Sequence, residues 1–501
     1  MKETTNFPQI FWDSGCERAE QDCACSADVP SVGVSAAPEP RAETDCACAP
    51  AVASIYGGLP ASGLWSLPPS LYRAPLPDGH LLAFNPTGPA GVVVLNGPAA
   101  WVLDSFAAPA PLTDPTAHQL AALGLLAPTH TTESPTRNTP HAFTFHVLTL
   151  WLHLTTRCNL RCAYCYAPRG QADMPPEVGR AAVDGAIRSA TTHGFRALKL
   201  KYAGGEPTLN LPTLRAVHRY ARARTAEAGL ELREVVLTNG TVLTPGLLEW
   251  LRDEGIRLAV SLDGLGPAHD GQRASDDGGS FARVAAGIEQ ALALGLHPHL
   301  SVTVTACNVD GLAEVAAFAL DRGLPFNLNF VRPAPGRPDL TPEPERLIAG
   351  LRAALAEMEQ RLQSASGNWP SAICHLLDRC DFSAPHRYPC GAGHAYLVVS
   401  PEGRLARCHM EMERTIGTVW EEDPLAAVRT QDGFRNPPVE EKEECRECPW
   451  RSICAGGCPL MAQWHRGTPA APSPYCAVYR AVLPDLLRLE GLRMMRAHST
   501  S

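Results

Sequence analysis

Eighteen cysteines in a chain of 501 residues call for a chemical explanation. Cys158, Cys162 and Cys165 are separated by three and then two residues. A 4Fe–4S cluster takes four ligands, so three protein thiolates leave one iron open to a small molecule. A structural zinc ion would want a fourth protein ligand. A second set, Cys390, Cys408, Cys445, Cys448, Cys454, Cys458 and Cys476, is one thiolate short of filling two such clusters. Two zinc ribbons are the alternative for that set, although its long intervals fit them poorly.

The elements that must position these residues alternate regularly. Strands are expected at Val147–Thr155, Ala197–Tyr202, Val235–Thr238, Leu258–Leu262, Leu300–Thr305 and Phe326–Val331. Helices are expected between them at Pro176–His193, Leu211–Ala228, Pro245–Glu254, Ser280–Leu294 and Leu312–Arg322. Repeated βα units imply a parallel sheet and an α/β fold, a partial (β/α)6 barrel with its chemistry at the C-terminal strand ends. The residues there suit that rim: Cys158 to Tyr166 after the first strand, Gly204-Gly205-Glu206-Pro207 after the second, Asn239-Gly240 after the third, Ser261 to Asp263 after the fourth and Arg332 after the sixth.

Lys+Arg 43 against Asp+Glu 52 makes the chain mildly acidic, which argues against a nucleic-acid binder. No apolar run reaches the ~20 residues of a membrane span. Met1-Lys2-Glu3-Thr4-Thr5-Asn6 shows no secretory pattern, so a reducing, cytoplasmic setting is expected, where clustered thiols bind metal more often than they pair. Residues 1–60 carry nine acids and three bases by Pro50 and read as a disordered tail. The tail's Cys16, and its near-repeat Cys23/Cys25 and Cys46/Cys48, fit incidental thiols, a metal clip or a fused substrate-like segment. Residues 61–132 form a small domain. In it Leu81–Phe84 and Val92–Leu95 suggest a hairpin, followed by helices from Asn96 through Phe106 and from Gln119 to Leu126, a winged-helix-like α+β order. A linker at 133–144, the barrel at 145–340, a bridging helical segment at 341–384 and a cysteine-rich domain at 385–490 complete the expected organisation.

Cys158, Cys162, Cys165 and the aromatic Tyr164, with Gly204-Gly205-Glu206-Pro207, resemble the radical S-adenosylmethionine enzymes over about residues 145 to 332. The resemblance implies that the open iron chelates S-adenosylmethionine and that Glu206 receives its ammonium group. On that reading Gly204 and Gly205 let the backbone approach the ligand, and reduction gives a 5′-deoxyadenosyl radical. Ser261 and Asp263 are then candidates for the ribose hydroxyls and Arg273 for the carboxylate. The C-terminal cysteines resemble the SPASM extension, which implies two auxiliary 4Fe–4S clusters. One would sit on Cys445, Cys448, Cys454 and Cys476, the other on Cys390, Cys408 and Cys458. A fourth ligand for the latter is not evident, with Cys374 and Cys380 weak candidates. Residues 81–126 resemble the PqqD-like domain, which binds leader peptides by adding a strand to its own edge.

Together these resemblances imply three 4Fe–4S clusters, a precursor peptide with a leader as partner, and reduced flavodoxin or ferredoxin as electron donor. The expected reaction is hydrogen abstraction followed by a crosslink, foremost a cysteine thioether. A carbon–carbon link, epimerisation, or formylglycine formation of the sulfatase-maturase kind are alternatives, and a non-catalytic iron–sulfur carrier is a further one. His409 stands where the sulfatase maturases resemble one another in an Asp, and is a candidate base.

Overall fold

The computed structural model of the protein describes residues 7–12, 63–129, 145–276, 278–332, 338–364, 376–382, 385–430 and 434–499. Cys16, Cys23, Cys25, Cys46, Cys48 and Cys374 lie outside them. No helix among the described residues is long and apolar enough to cross a membrane.

Within the tail, three residues form a strand, β1 (Ile10–Trp12). The small domain contributes β2 (Trp65–Ser66), β3 (Tyr72–Pro75), β4 (Leu81–Phe84), β5 (Val93–Leu95), α1 (Gly97–Asp104), α2 (Pro115–Ala122) and β6 (Ala127–Pro128). The expected hairpin is present, with Leu82 opposite Val94 and Ala83 opposite Val93. The second helix starts earlier than the pattern suggested. Asp114 caps it by accepting from Thr116 N–H at 2.6 Å, with Pro115 in the first turn, and Gly124 follows it at φ 72°. A four-stranded sheet has the order β1-β5-β4-β3.

The barrel follows the expected alternation closely. Its strands are β7 (Val147–His153), β8 (Ala197–Ala203), β9 (Glu231–Thr238), β10 (Arg257–Ser261), β11 (His299–Val304) and β12 (Phe326–Phe330), all parallel. Its helices are α3 (Pro176–Thr192), α4 (Leu211–Glu227), α5 (Pro245–Asp253), α6 (Pro267–Gln272), α7 (Phe281–Ala293) and α8 (Leu312–Asp321). Leu148, Leu150 and Leu152 join the core under the helices, while Thr149, Trp151 and His153 alternate to the inner face. The inner face is polar: Lys199 and Lys201 of β8 are fully buried, and His299, Asn327, Asn329 and Ser301 form a hydrogen-bonded chain across β11 and β12.

After α9 (Pro344–Ser364), the C-terminal region rejoins the barrel through β13 (Tyr396–Val399), which pairs parallel with β7. β14 (Arg404–Ala406) and β15 (Gly417–Thr418) continue the sheet, giving nine strands in the order β12-β11-β10-β9-β8-β7-β13-β14-β15. Helices α10 (Pro424–Thr430), α11 (Arg451–Cys454), α12 (Pro459–Arg466) and α13 (Cys476–Ser499) follow, the last running past the expected limit at 490. Leu76, Leu82, Phe84, Val92 and Val94 of the small domain join the same core as the barrel and α13.

Candidate functional site

The first three cysteines lie on the loop that follows β7. Two backbone bonds tie this loop to the segment after α6, Arg161 N–H to Ala274 C=O at 2.7 Å and Ala163 N–H to Gln272 C=O at 3.1 Å. The thiols have donors of their own. Leu160 N–H reaches Cys158 Sγ at 3.4 Å and the Asn239 amide reaches it at 3.9 Å, while Arg273 Nη1 stands 3.9 Å from Cys162 Sγ. Burial pushes the Cys158 thiol up and the Cys162 thiol up to about 11, with Arg273 opposing the second shift. A bound metal group would favour the thiolate form of Cys158 and Cys162 against this effect of burial.

Gly204 and Gly205 pack closely against the start of the cysteine loop. A Cβ on Gly204 would meet Thr155 O at 2.6 Å, and one on Gly205 would meet Arg157 O at 2.3 Å. Gly205 N–H donates to Thr155 O at 2.7 Å and Glu206 N–H to Arg157 O at 2.8 Å. The Gly-Gly pair thus clamps the start of the cysteine loop. Glu206 is fully buried. One of its oxygens accepts from Thr208 N–H at 3.1 Å, Thr208 Oγ1 at 2.7 Å and Thr238 Oγ1 at 2.7 Å; the other accepts from Asn239 N–H at 2.7 Å. Burial raises its pKa, and these donors oppose the rise. A carboxylate offers about four lone pairs, so Glu206 braces the strand ends and keeps little capacity for a ligand, on Oε2 alone.

Asp263 and Arg273 are paired with each other in this structure. Arg273 donates to Asp263 Oδ2 at 2.8 Å and Oδ1 at 3.2 Å, with the pair nearly or wholly buried. Asp263 also accepts from Thr303 N–H at 2.8 Å and from the Tyr164 hydroxyl. Arg273 lies 5.5 Å from the centroid of the Tyr164 ring. Sequence reasoning found all three residues but not their partnership, because nothing local announces it. Ser261 ends β10 opposite Ser301 and is half-buried at the rim.

The structure brings the later cysteines together in two groups. The charges that act on Cys408 include Cys458 and Cys390; those on Cys454 are Cys445, Cys448 and Cys476. Cys380, 1% exposed, neighbours Cys454, Asp378 and Asp381, and so stands with the group of four. Arg332, bidentate to Asp378 at 2.6 and 2.7 Å, and Arg379 lower the Cys458 thiol against the effect of burial. Between the groups lies Lys442, fully buried, whose ammonium donates to Ala455 O at 2.9 Å and is acted on by Cys445, Cys454, Cys458 and Cys390. Its sequence context, Glu440-Glu441-Lys442-Glu443-Glu444, reads only as a solvated charge run. Among the described residues no three His, Cys, Asp or Glu side chains close on one ion-sized point. Clusters attach each thiolate to a different iron, so donors standing apart suit them.

His409 is 3% exposed and stacks on Trp151 of β7, with centroids 4.6 Å apart and planes at 16°. Tyr166 of the cysteine loop lies 5.2 Å from it, with the ring planes tilted by 54°. Nδ1 lies 2.9 Å from the Tyr396 hydroxyl, and Nε2 is buried with no hydrogen-bond partner. Burial, with Arg379, Arg332 and Lys201, holds the imidazole well below its ordinary pKa, so the ring is neutral. A cleft of about 440 Å³ opens beside it, lined by Tyr166, Pro168 and residues 410–414.

Residues 152–316 match the family model of the radical SAM superfamily. The GTP 3′,8-cyclase 1 of Pseudomonas aeruginosa is 31% identical over 277 residues, which span 52% of this chain and 78% of that protein. The chain belongs to the radical SAM superfamily. Membership makes it an enzyme and implies S-adenosylmethionine and one 4Fe–4S cluster. The PqqA peptide cyclase of Ruegeria pomeroyi is 28% identical over 346 residues, 65% of this chain and 85% of that one. The solved structure of native anSMEcpe with bound AdoMet shares the fold, with a TM-score of 0.55 at 16% identity, over 69% of this chain and 99% of that chain.

Proposed function

We propose that this chain modifies a ribosomally made precursor peptide, joining a cysteine sulfur to carbon in a thioether. The observation that carries the reading is the cluster of the Trp151, His409 and Tyr166 rings. It joins the barrel, the cysteine loop and the group containing Cys408 at one cleft. One of the relatives, the PqqA peptide cyclase, carries a peptide in its name, which supports that substrate class.

Cys158, Cys162 and Cys165 would hold the first cluster, and their donors from Leu160, Asn239 and Arg273 fit thiolate ligands. When bound, cluster and S-adenosylmethionine supply one-electron hydrogen abstraction. Oε2 of Glu206 would take the cofactor's ammonium, Ser261 and Asp263 its ribose hydroxyls, and Arg273 its carboxylate. The two later groups would hold auxiliary clusters, with Arg332 and Arg379 favouring an anionic substrate thiolate at the position the group of three leaves open. Were Nδ1–H to donate to Tyr396, the buried Nε2 of His409, next to the cleft-lining Met410, would be the acceptor for the proton of a thiol or an α-carbon. Residues 61–132 are the leader-binding domain, and reduced flavodoxin or ferredoxin the electron donor, in a reducing cytoplasm.

The test is to incubate reconstituted enzyme, S-adenosylmethionine and reductant with a cysteine-bearing precursor. The product should lack two hydrogens and one free thiol, with one 5′-deoxyadenosine formed per link. An unchanged peptide mass contradicts the reading, and an aldehyde with loss of sulfur supports the formylglycine alternative.

A further inference from the structure

The strand β5 has all three residues, Val93, Val94 and Leu95, at 0% exposure, yet within its own domain it is an edge: β4 pairs one side only. A wholly buried strand needs its open edge covered, because unpaired N–H and C=O groups there are a template for another strand. The covering strand comes from far away in sequence. β1 lies antiparallel to β5, with Ile10 opposite Leu95 and Phe11 opposite Val94.

One buried side chain organises the junction. Asn96 Oδ1 caps α1 by accepting from Ala99 N–H at 3.0 Å and also accepts from Gln9 N–H at 2.9 Å. Its amide nitrogen donates to Phe7 O at 2.9 Å, and its backbone N–H donates to Gln9 O at 3.1 Å. Asn96 thereby reads the backbone of the incoming strand whatever its sequence. Side chains add selectivity on both faces. Ile10 packs on the small domain's own core, whereas Phe11 packs on the main core, 4.5 Å from His498 of α13 and 5.9 Å from His80. Pairing of this kind is how an extended peptide adds to a sheet edge.

We propose that the edge of β5, between Asn96 and α13, is a peptide-strand site for an extended segment with an aliphatic residue followed by an aromatic one. In this chain, residues 7–12 occupy it in cis. The proposal rests on the reading of residues 61–132 as a leader-binding domain, and it names that domain's resident ligand. Because the strand belongs to the same chain, it acts at an effective concentration on the order of millimolar. A free peptide of the same pattern must compete with that, so the intact chain is closed to it and a chain without residues 1–12 is open.

The probe is a fluorescein-labelled synthetic peptide of residues 5–14, titrated anaerobically by anisotropy against the intact enzyme and against the enzyme lacking residues 1–12. Uncoupled cleavage of S-adenosylmethionine serves as the check that the shortened enzyme is folded. For a peptide with Kd in the ten-micromolar range, the shortened enzyme should bind about 100-fold more tightly than the intact one. Phe11→Pro in the intact chain should open the site too, since alternation from the bonded Gln9–Asn96 pair makes Phe11 a bonded position. Equal affinity for the intact and shortened enzymes overturns occupancy in cis. No binding to a folded, shortened enzyme overturns the site itself. Either result leaves the peptide-modification reading standing, because that is judged by product from the precursor.

Discussion

Arg273 donates to both oxygens of Asp263 and stands 3.9 Å from Cys162 Sγ, so it braces the cysteine loop. Removing one partner of a buried ion pair costs about 3–5 kcal/mol, since the other charge is left buried. Arg273→Ala should therefore lose the first cluster, seen as a fall of about four irons per chain in the reconstituted enzyme. If the side chain served the cofactor carboxylate alone, iron would stay and only cofactor affinity would drop. For His409, the unpartnered Nε2 is what distinguishes a base from a packing residue. His409→Gln should keep its iron and its uncoupled cofactor cleavage while crosslinked product falls roughly 10²–10⁴-fold; an unchanged product rate removes His409 from the mechanism. At this scale the nearness of the first three cysteines on one loop was legible because they repeat at short spacings. Lys442, Arg379 and the Glu206 donors were not, because burial and partnership are properties of distant chain brought together.

Strands and helices of the barrel were legible to within a few residues because each combines an apolar run with a cap or turn that ends it. Thr244, for instance, caps α5 through its hydroxyl, and Gly255 follows that helix at φ 68°. The rim was legible for the same reason, since parallel strands put their following loops on one side. What pattern did not reveal was pairing at the ends of the sheet. β13 reads as an ordinary apolar run, Tyr396 to Val399, and only its register with β7, Tyr396 opposite Thr149, shows that barrel and C-terminal region share one sheet. That pairing places Tyr396 beside His409. β1 escaped notice because three residues in an acidic, Pro-rich stretch carry no period of their own; the strand exists only because β5 offers an edge.

Across the whole molecule, the polar barrel interior sets a pH limit. Burial holds His153 and His269 down to about 4, and each is 1% exposed or less. Unfolded histidine titrates near 6.5, so above that pH both states are neutral and stability is at its full value. Between 6.5 and 4 the unfolded chain takes up protons that the folded chain refuses, and stability falls as pH falls. Each histidine contributes up to roughly 3 kcal/mol to that loss. Denaturant midpoints taken at constant iron content should drop between pH 7 and pH 5, and less so for His153→Gln; a flat profile contradicts the buried neutral state. The central claim is that Cys158, Cys162 and Cys165 hold the cluster at which S-adenosylmethionine is cleaved. Its most direct test is the Cys158→Ala, Cys162→Ala, Cys165→Ala triple variant, assayed together for iron and for 5′-deoxyadenosine. The account predicts about eight irons per chain against about twelve in the parent, with no 5′-deoxyadenosine formed. A triple variant that still makes 5′-deoxyadenosine would contradict it.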